Sequence, residues 1–188
     1  MENKNFNNQP VLSIQEQTKI RMEKIDKLAE KGVAPFGQRF EVKDKLCDIR
    51  AKYSENSKEE LEANPYYATV AGRIITKRDM GKIAFCNLQD RDGNMQIYIR
   101  KDVIGEEAYS VFKLSDIGDL IGVTGEVMKT NTGELTIKVT EYTHLVKALR
   151  PLPEKYHGLQ DVEERYRRRY LDLIVNEQSR KTAIARCK

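Results

Sequence analysis

Residues 67–78 read YATVAGRIITKR, residues 82–90 read KIAFCNLQD, and residues 95–102 read MQIYIRKD after the turn Arg91-Asp92-Gly93-Asn94. Each run alternates apolar and polar side chains with a period of two, the mark of a strand buried on one face. Asp92-Gly93 between two such runs is a strong hairpin signal, because both residue types tolerate the backbone of a tight turn. Downstream, residues 106–114 read as a short helix. Two further alternating runs follow, DLIGVTGEVMKT (119–130) and ELTIKVTEYTHLV (134–146), joined at Asn131-Thr132-Gly133.

The order is therefore β-β-β-α-β-β over about 80 residues. Five short strands with one helix between the third and fourth predict a small Greek-key barrel of the OB type. A β-sandwich wants about seven strands, and a doubly wound nucleotide-binding fold wants a helix after each strand. The expected fold is mainly β: a five-stranded OB barrel, an N-terminal helical extension, and a C-terminal linker and helix.

Alternation also assigns faces. Ala84, Cys86 and Leu88 point inward in the second strand, and Met95, Ile97 and Ile99 in the third. Val70, Gly72 and Ile74 face the core in the first. The outer face of these three strands then collects Arg73, Ile75, Phe85, Asn87, Gln89, Gln96, Tyr98 and Arg100. The loop after the first strand supplies Lys77, Arg78 and Lys82 around Gly81, and the loop after the fourth supplies Lys129, Thr130 and Glu134. Rings that stack on unpaired bases, amides that read base edges and cations that meet phosphates are what single-stranded nucleic acid requires. A second reading stays open on these residues alone: Phe85 and Tyr98 are covered by the N-terminal helices and the charges are solvated, since OB barrels also bind protein and sugar. No nucleophile elbow, phosphate-binding glycine loop or paired-carboxylate motif is present.

Outward from the barrel, residues 1–12 are rich in Asn and Gln and read as a disordered tail. Residues 13–66 form the helical extension. Ser13-x-x-Glu16 is a capping box ahead of a helix whose apolar face is Ile14, Met22, Ile25, Leu28 and Ala29, ending near Gly32. A connector with Pro35 and Gly37 leads to a helix over about 42–53, and Ser57-x-x-Glu60 caps another turn before Pro65. The barrel is assigned to 67–148 and the linker with a last helix to 149–188. Arg150-Pro151-Leu152-Pro153 is stiff, Gly158 ends that segment, and the helix runs from about Asp161 to Val175.

Of the 188 residues, 39% are hydrophobic and 33% charged, against a usual charged share of about 25%. The net charge of +4 sits in residues 150–188, with 10 Lys/Arg against 6 Asp/Glu. Within the barrel, residues 67–104 carry 7 basic and 4 acidic groups and residues 105–149 the reverse ratio, 4 and 7. That asymmetry is compatible with nucleic acid on one side. No apolar run approaches a membrane span, and the polar MENKNFNNQP start lacks a signal-peptide core, so the expected location is the cytoplasm. Cys47, Cys86 and Cys187 are too scattered for a disulfide framework or a metal pair, and His144 and His157 have no ligand cluster. The chain is expected to bind no metal or cofactor of its own.

AGRIITKRDMGKIAFCNLQD with MQIYI, KTNTGELTIKV, and KALRPLPEKYHGLQDVEERYRRRYLDLIVN together resemble the N-terminal part of bacterial class II lysyl-tRNA synthetases, over roughly residues 14–188. Aspartyl and asparaginyl synthetases are similar in the barrel and in RYLDL but differ in the N-terminal part and linker. The resemblance implies a homodimeric ligase that uses ATP and Mg to activate lysine and charge its tRNA. The class-defining arginine motifs of the catalytic domain have no counterpart here, so the chain is expected to be a fragment or truncated product that recognises the lysine tRNA anticodon without aminoacylating it. The alternative is a stand-alone OB module for single-stranded nucleic acid. By the resemblance, Phe85 stacks on the central, uridine base and Gln96 reads its edge. Arg73 and Arg78 are positive contacts on or beside the same face, and Glu134 is an acidic contact from the last loop. Lys77 and Lys82 join them as basic loop residues. The stretch Arg165 to Arg169 either packs against another domain or subunit or touches tRNA backbone, and the resemblance favours packing.

Overall fold

The computed structural model describes residues 13–153, 159 and 161–187. The tail at 1–12, His157 and Gly158 lie outside the described residues. The chain divides into two compact units, residues 1–150 and 151–188.

The first unit is built on five strands: β1 (Tyr67–Asp79), β2 (Ile83–Gln89), β3 (Asn94–Arg100), β4 (Leu120–Lys129) and β5 (Leu135–Val146). They close into a barrel in the order β1-β2-β3-β5-β4, with β4 returning to β1. All neighbours are antiparallel except β3 and β5, which pair in parallel through Gln96↔Thr136, Ile97↔Ile137 and Tyr98↔Lys138. This is the expected OB barrel. The alternation holds in β2 and β3: Ala84, Cys86, Leu88, Met95, Ile97 and Ile99 are all buried, while the residues between them are partly exposed. Burial raises the Cys86 thiol pKa to about 12, so it stays a protonated core residue.

Between β3 and β4 the chain forms not one helix but two, Lys101–Ile104 and Glu106–Leu114, because Gly105 sits at φ +87° and breaks the turn. The second is amphipathic. Its Tyr109 and Phe112 are buried in the barrel core, and Ser115 follows it into the interior.

The N-terminal extension contributes three helices, Ile14–Glu30, Leu46–Tyr53 and Lys58–Ala63. Both expected capping boxes form, at Ser13/Glu16 and Ser57/Glu60. The first helix, however, does not dock through the expected apolar stripe, since Ile14 and Met22 are more than half exposed. It is held by Leu28 and by Arg21, whose guanidinium donates to the Ala148 carbonyl at 2.8 Å and the Ile117 carbonyl at 3.0 Å. Lys24 meets Asp116 at 2.5 Å, and the fully buried Lys147 joins Asp116 at 2.6 Å and Asp119 at 2.7 Å. The second helix starts at Leu46 rather than near residue 42. Residues 42–45 have no regular secondary structure, and the Lys43 and Asp44 amides donate to the Thr69 carbonyl of β1.

In the second unit the single helix expected over 161–175 is broken at Arg168 into Val162–Arg167 and Arg169–Val175, and a further helix, Glu177–Arg186, follows. Asp172, fully buried, holds this unit together by accepting from Arg165 at 3.0 Å and Arg169 at 2.8 Å.

Candidate nucleic-acid interface

The outer surface of β1, β2 and β3 is organised in cross-strand rows. One row is Arg78, Phe85 and Tyr98, continued by Lys138 on β5. The next is Thr76, Asn87 and Gln96, continued by Thr136. Phe85 and Tyr98 stack, with ring centroids 4.8 Å apart and planes 26° apart. They form a partly exposed aromatic surface with a cation on either side in register. The Gln96 amide lies one row away, its Nε2 donating to Thr136 Oγ1 at 3.0 Å.

The two loops expected to flank this face do so, with shifted bounds. β1 runs to Asp79, so Lys77 and Arg78 are strand residues and the first loop is only residues 80–82. Gly81 turns it at φ +81°. Lys82 is exposed there. The loop between β4 and β5 covers residues 130–134 and is closed by the Thr130 amide on the Glu134 carbonyl at 3.0 Å. The Glu134 side chain is half exposed, with a carboxylate oxygen 4.0 Å from Arg50 Nη2. Arg50 in turn donates to the Asn94 carbonyl at 3.0 Å, so the helix Leu46–Tyr53 braces the start of β3 against this loop. Lys129 and Lys58 add to the brace by donating to the Ser54 carbonyl and the Asn131 side chain.

Two expected contacts are used otherwise. The pairing of β1 with β2 slips between Ile74 and Thr76, leaving Ile75 as a bulge. Beyond a bulge the alternation inverts, so Lys77 pairs with the inward Cys86 while Arg78 pairs with the outward Phe85. The Lys77 ammonium donates to the Phe112 and Ser115 carbonyls at 3.0 and 2.6 Å and lies 4.3 Å from the Phe112 ring centroid. Burial holds its pKa below the usual lysine value. It closes the C-terminal end of the helix Glu106–Leu114 instead of facing the groove. Arg73 does face outward, opposite Gln89, but at the far end of the strand pair from Phe85. Its Nη1 donates to the Gly118 carbonyl at 2.7 Å, where it fixes the approach to β4. Arg100 is likewise held by Asp102 through Nε at 3.0 Å. Phe85, Gln96, Arg78, Lys82 and Glu134 are the expected residues that remain grouped around one surface.

Sequence reasoning missed Thr136, Lys138 and Arg50. Only the parallel β3–β5 pairing, which no local pattern announces, brings the first two to this face. In the second unit, Arg165 and Arg169 pair with Asp172, Arg167 with Glu163 and Arg168 with Glu164. The basic stretch is thus internally compensated.

A family model described as an OB-fold nucleic acid binding domain matches residues 68–145. Among curated proteins, a lysine–tRNA ligase of Pediococcus pentosaceus is 58% identical over 89% of this chain and 34% of its own length. Those of Listeria monocytogenes and Bacillus subtilis are 54% and 53% identical, over 93% of this chain and 35% of their own lengths. The chain spans about a third of the length of these relatives. The identity extends well beyond the barrel, into the helical extension or the second unit or both. Over the residues it spans, the chain is therefore similar to about a third of the length of the lysine–tRNA ligases, and its barrel matches an OB-fold nucleic acid binding domain.

Proposed function

We propose that the outer face of β1–β3 binds the anticodon loop of a tRNA, and that the tRNA is the one for lysine. The observation that carries this reading is the stacked Phe85–Tyr98 pair with Arg78 beside it and the Gln96 amide one row away. A ring open on one face takes an unpaired base by stacking, which is insensitive to sequence and worth about 1–3 kcal/mol per base. The amide next to it can test the edge of that base. Arg78 and Lys82 are placed for phosphates, and Glu134 for a donor group on a neighbouring nucleotide. Arg73 acts in this reading by fixing the β1–β4 junction, and Lys77 by holding the helix beneath the face.

A stand-alone OB module for single-stranded nucleic acid is the competing reading. The identity to lysine–tRNA ligases over 89–96% of the chain supports the first, since it takes in residues outside the barrel. In a whole enzyme of this kind, ATP and Mg would serve the activation of lysine, and the protein would act as a homodimer in the cytoplasm. We assign that chemistry to the two thirds of the relatives that this chain does not span. Among the described residues, no group of three or more His, Cys, Asp or Glu side chains is placed to hold a metal ion. No described helix is long and apolar enough to cross a membrane.

The test is a titration at one salt concentration with the lysine tRNA anticodon hairpin and with a hairpin of equal length carrying an unrelated loop. Preference for the first supports anticodon reading. Equal binding supports the stand-alone module, and no binding overturns both.

A further inference from the structure

Gln96 Nε2 donates to Thr136 Oγ1 at 3.0 Å, and Thr136 Oγ1 donates to the Glu134 carbonyl at 3.1 Å. Thr136 is fully buried. A carbonyl oxygen can only accept, so the single hydroxyl hydrogen is committed to Glu134, and the hydroxyl has only lone pairs left for Gln96. The relay therefore runs one way, from the amide through the hydroxyl to the loop backbone. A flipped amide would turn its Oε1 toward the hydroxyl, which would then have to abandon either Glu134 or Gln96. The Glu134 carbonyl is itself fixed, because it also accepts from the Thr130 amide at 3.0 Å and closes the β4–β5 loop.

A glutamine free to flip does not choose between bases. On uracil, the ring N–H donates and the adjacent carbonyl accepts. On cytosine, the same two positions are reversed, with ring nitrogen accepting and the amino group donating. A rotating amide matches either. A fixed one, beside a base stacked on Phe85 and held in one position along its edge, matches one and opposes the other.

We propose that Thr136 is a positioning residue that locks the polarity of the Gln96 amide, so that this face selects a base with a ring N–H next to a carbonyl, as in uracil, over cytosine. The inference deepens the anticodon-binding reading and rests on it. Thr136 does not touch the base. It acts through Gln96, and it couples base choice to the closed form of the β4–β5 loop.

The experiment compares wild type, Thr136→Val and Thr136→Ser on two hairpin RNAs that differ only in uridine or cytidine at the centre of the unpaired loop. Wild type should prefer uridine by roughly tenfold, the scale of a well-formed two-bond base contact. Thr136→Val, nearly isosteric but without the hydroxyl, should bring the two affinities together mainly by improving cytidine binding. Thr136→Ser should restore the preference. If Thr136→Val keeps the wild-type ratio, the role of Thr136 is wrong while base reading stands. If wild type binds the two hairpins alike, the base-reading assignment itself fails, and this inference with it. A second readout needs no RNA: ¹⁵N relaxation of the Gln96 side-chain amide should report an ordered group in wild type and Thr136→Ser and a mobile one in Thr136→Val. Should the valine variant not fold, a mobile amide in wild type would by itself overturn the proposal.

Discussion

Phe85 on β2 and Tyr98 on β3 stand directly opposite each other in the ladder and stack on the outside of the barrel, 4.8 Å between centroids. Their neighbours along the strands, Ala84, Cys86, Ile97 and Ile99, are buried. The rings are therefore outside the core, and their mutual contact is worth about 0.5–1.5 kcal/mol. Phe85→Ala should cost folding stability on that scale and weaken binding of the anticodon hairpin by about 1–3 kcal/mol. Thermal unfolding and an RNA titration on the same sample separate the two effects. A collapse of the unfolding midpoint would place the ring in the core and void the face assignment.

Barrel closure depends on two glycines of β4 for different reasons. A Cβ on Gly125 would lie 2.3 Å from the Lys138 backbone oxygen, and one on Gly122 would lie 2.6 Å from the Phe40 ring. Backbone of β5 cannot give way without opening the β4–β5 ladder, whereas Phe40 belongs to a connector that can shift. Gly125→Ala should therefore destabilise by about 4 kcal/mol or more, and Gly122→Ala by about 1–3 kcal/mol, the usual range for overpacking. Denaturant melts of both variants give the comparison, and equal destabilisation would contradict it.

The sequence made the barrel readable because one-sided burial imposes the period of two, and β2 and β3 obey it from end to end. It hid Lys77, read there as a loop residue, because β1 continues to Asp79 and a single extra residue, Ile75, inverts the faces of the β1 residues after it. Arg21 was concealed for a related reason. The apolar residues of its helix spell a stripe, but the anchor is a charged group satisfied by backbone carbonyls far away in sequence, at 117 and 148. Thr136 could not be found locally at all, since its partner Gln96 is 40 residues earlier on a parallel neighbour. The break at Arg168 follows no Gly or Pro. The side chains on either side of it turn back to Asp172, a tertiary demand that overrides helix propensity.

His144 is buried among Ser115, Asp119 and Lys147, with Nδ1 3.3 Å from Ser115 Oγ and Nε2 without a partner among the described residues. Burial lowers its pKa from the usual value, with nearby Asp119 opposing and Lys147 reinforcing the shift. The unfolded chain then takes up this proton at a higher pH than the folded one. Stability should accordingly fall as pH drops through about 6.5 toward the lower folded value, by up to about 1.4 kcal/mol per pH unit, and then level off. Asp116 adds a second step. Burial alone would raise its pKa, but hydrogen bonds from Lys147 and Lys24 outweigh that and hold it low. Its contribution is present above about pH 4, the unfolded value, and is lost as pH falls through the folded one. In denaturant melts across this range, His144→Phe should abolish the upper step and leave the lower. An unchanged upper step in that variant would assign it elsewhere.

Lys77, Arg78 and Lys82 lie within six residues and carry the same charge, yet the structure gives them separate tasks. Lys77 satisfies the carbonyls of Phe112 and Ser115 inside the barrel, whereas Arg78 and Lys82 are exposed at the rim of the face. Removing a buried donor leaves its acceptors unpaired at about 1–3 kcal/mol each. Lys77→Met should thus lower the unfolding midpoint while leaving the salt dependence of RNA binding as it was. Lys82→Ala and Arg78→Ala should do the opposite: unchanged melting, weaker binding to every RNA, and a slope of log K against log salt shallower by about 0.7 for each phosphate that is no longer neutralised. The decisive pair is the melting curve and the salt titration of Lys77→Met. If that variant melts like wild type and its salt slope becomes shallower, Lys77 faces the RNA, the Ile75 bulge is misplaced, and the register of β1 beyond Ile74 must be redrawn.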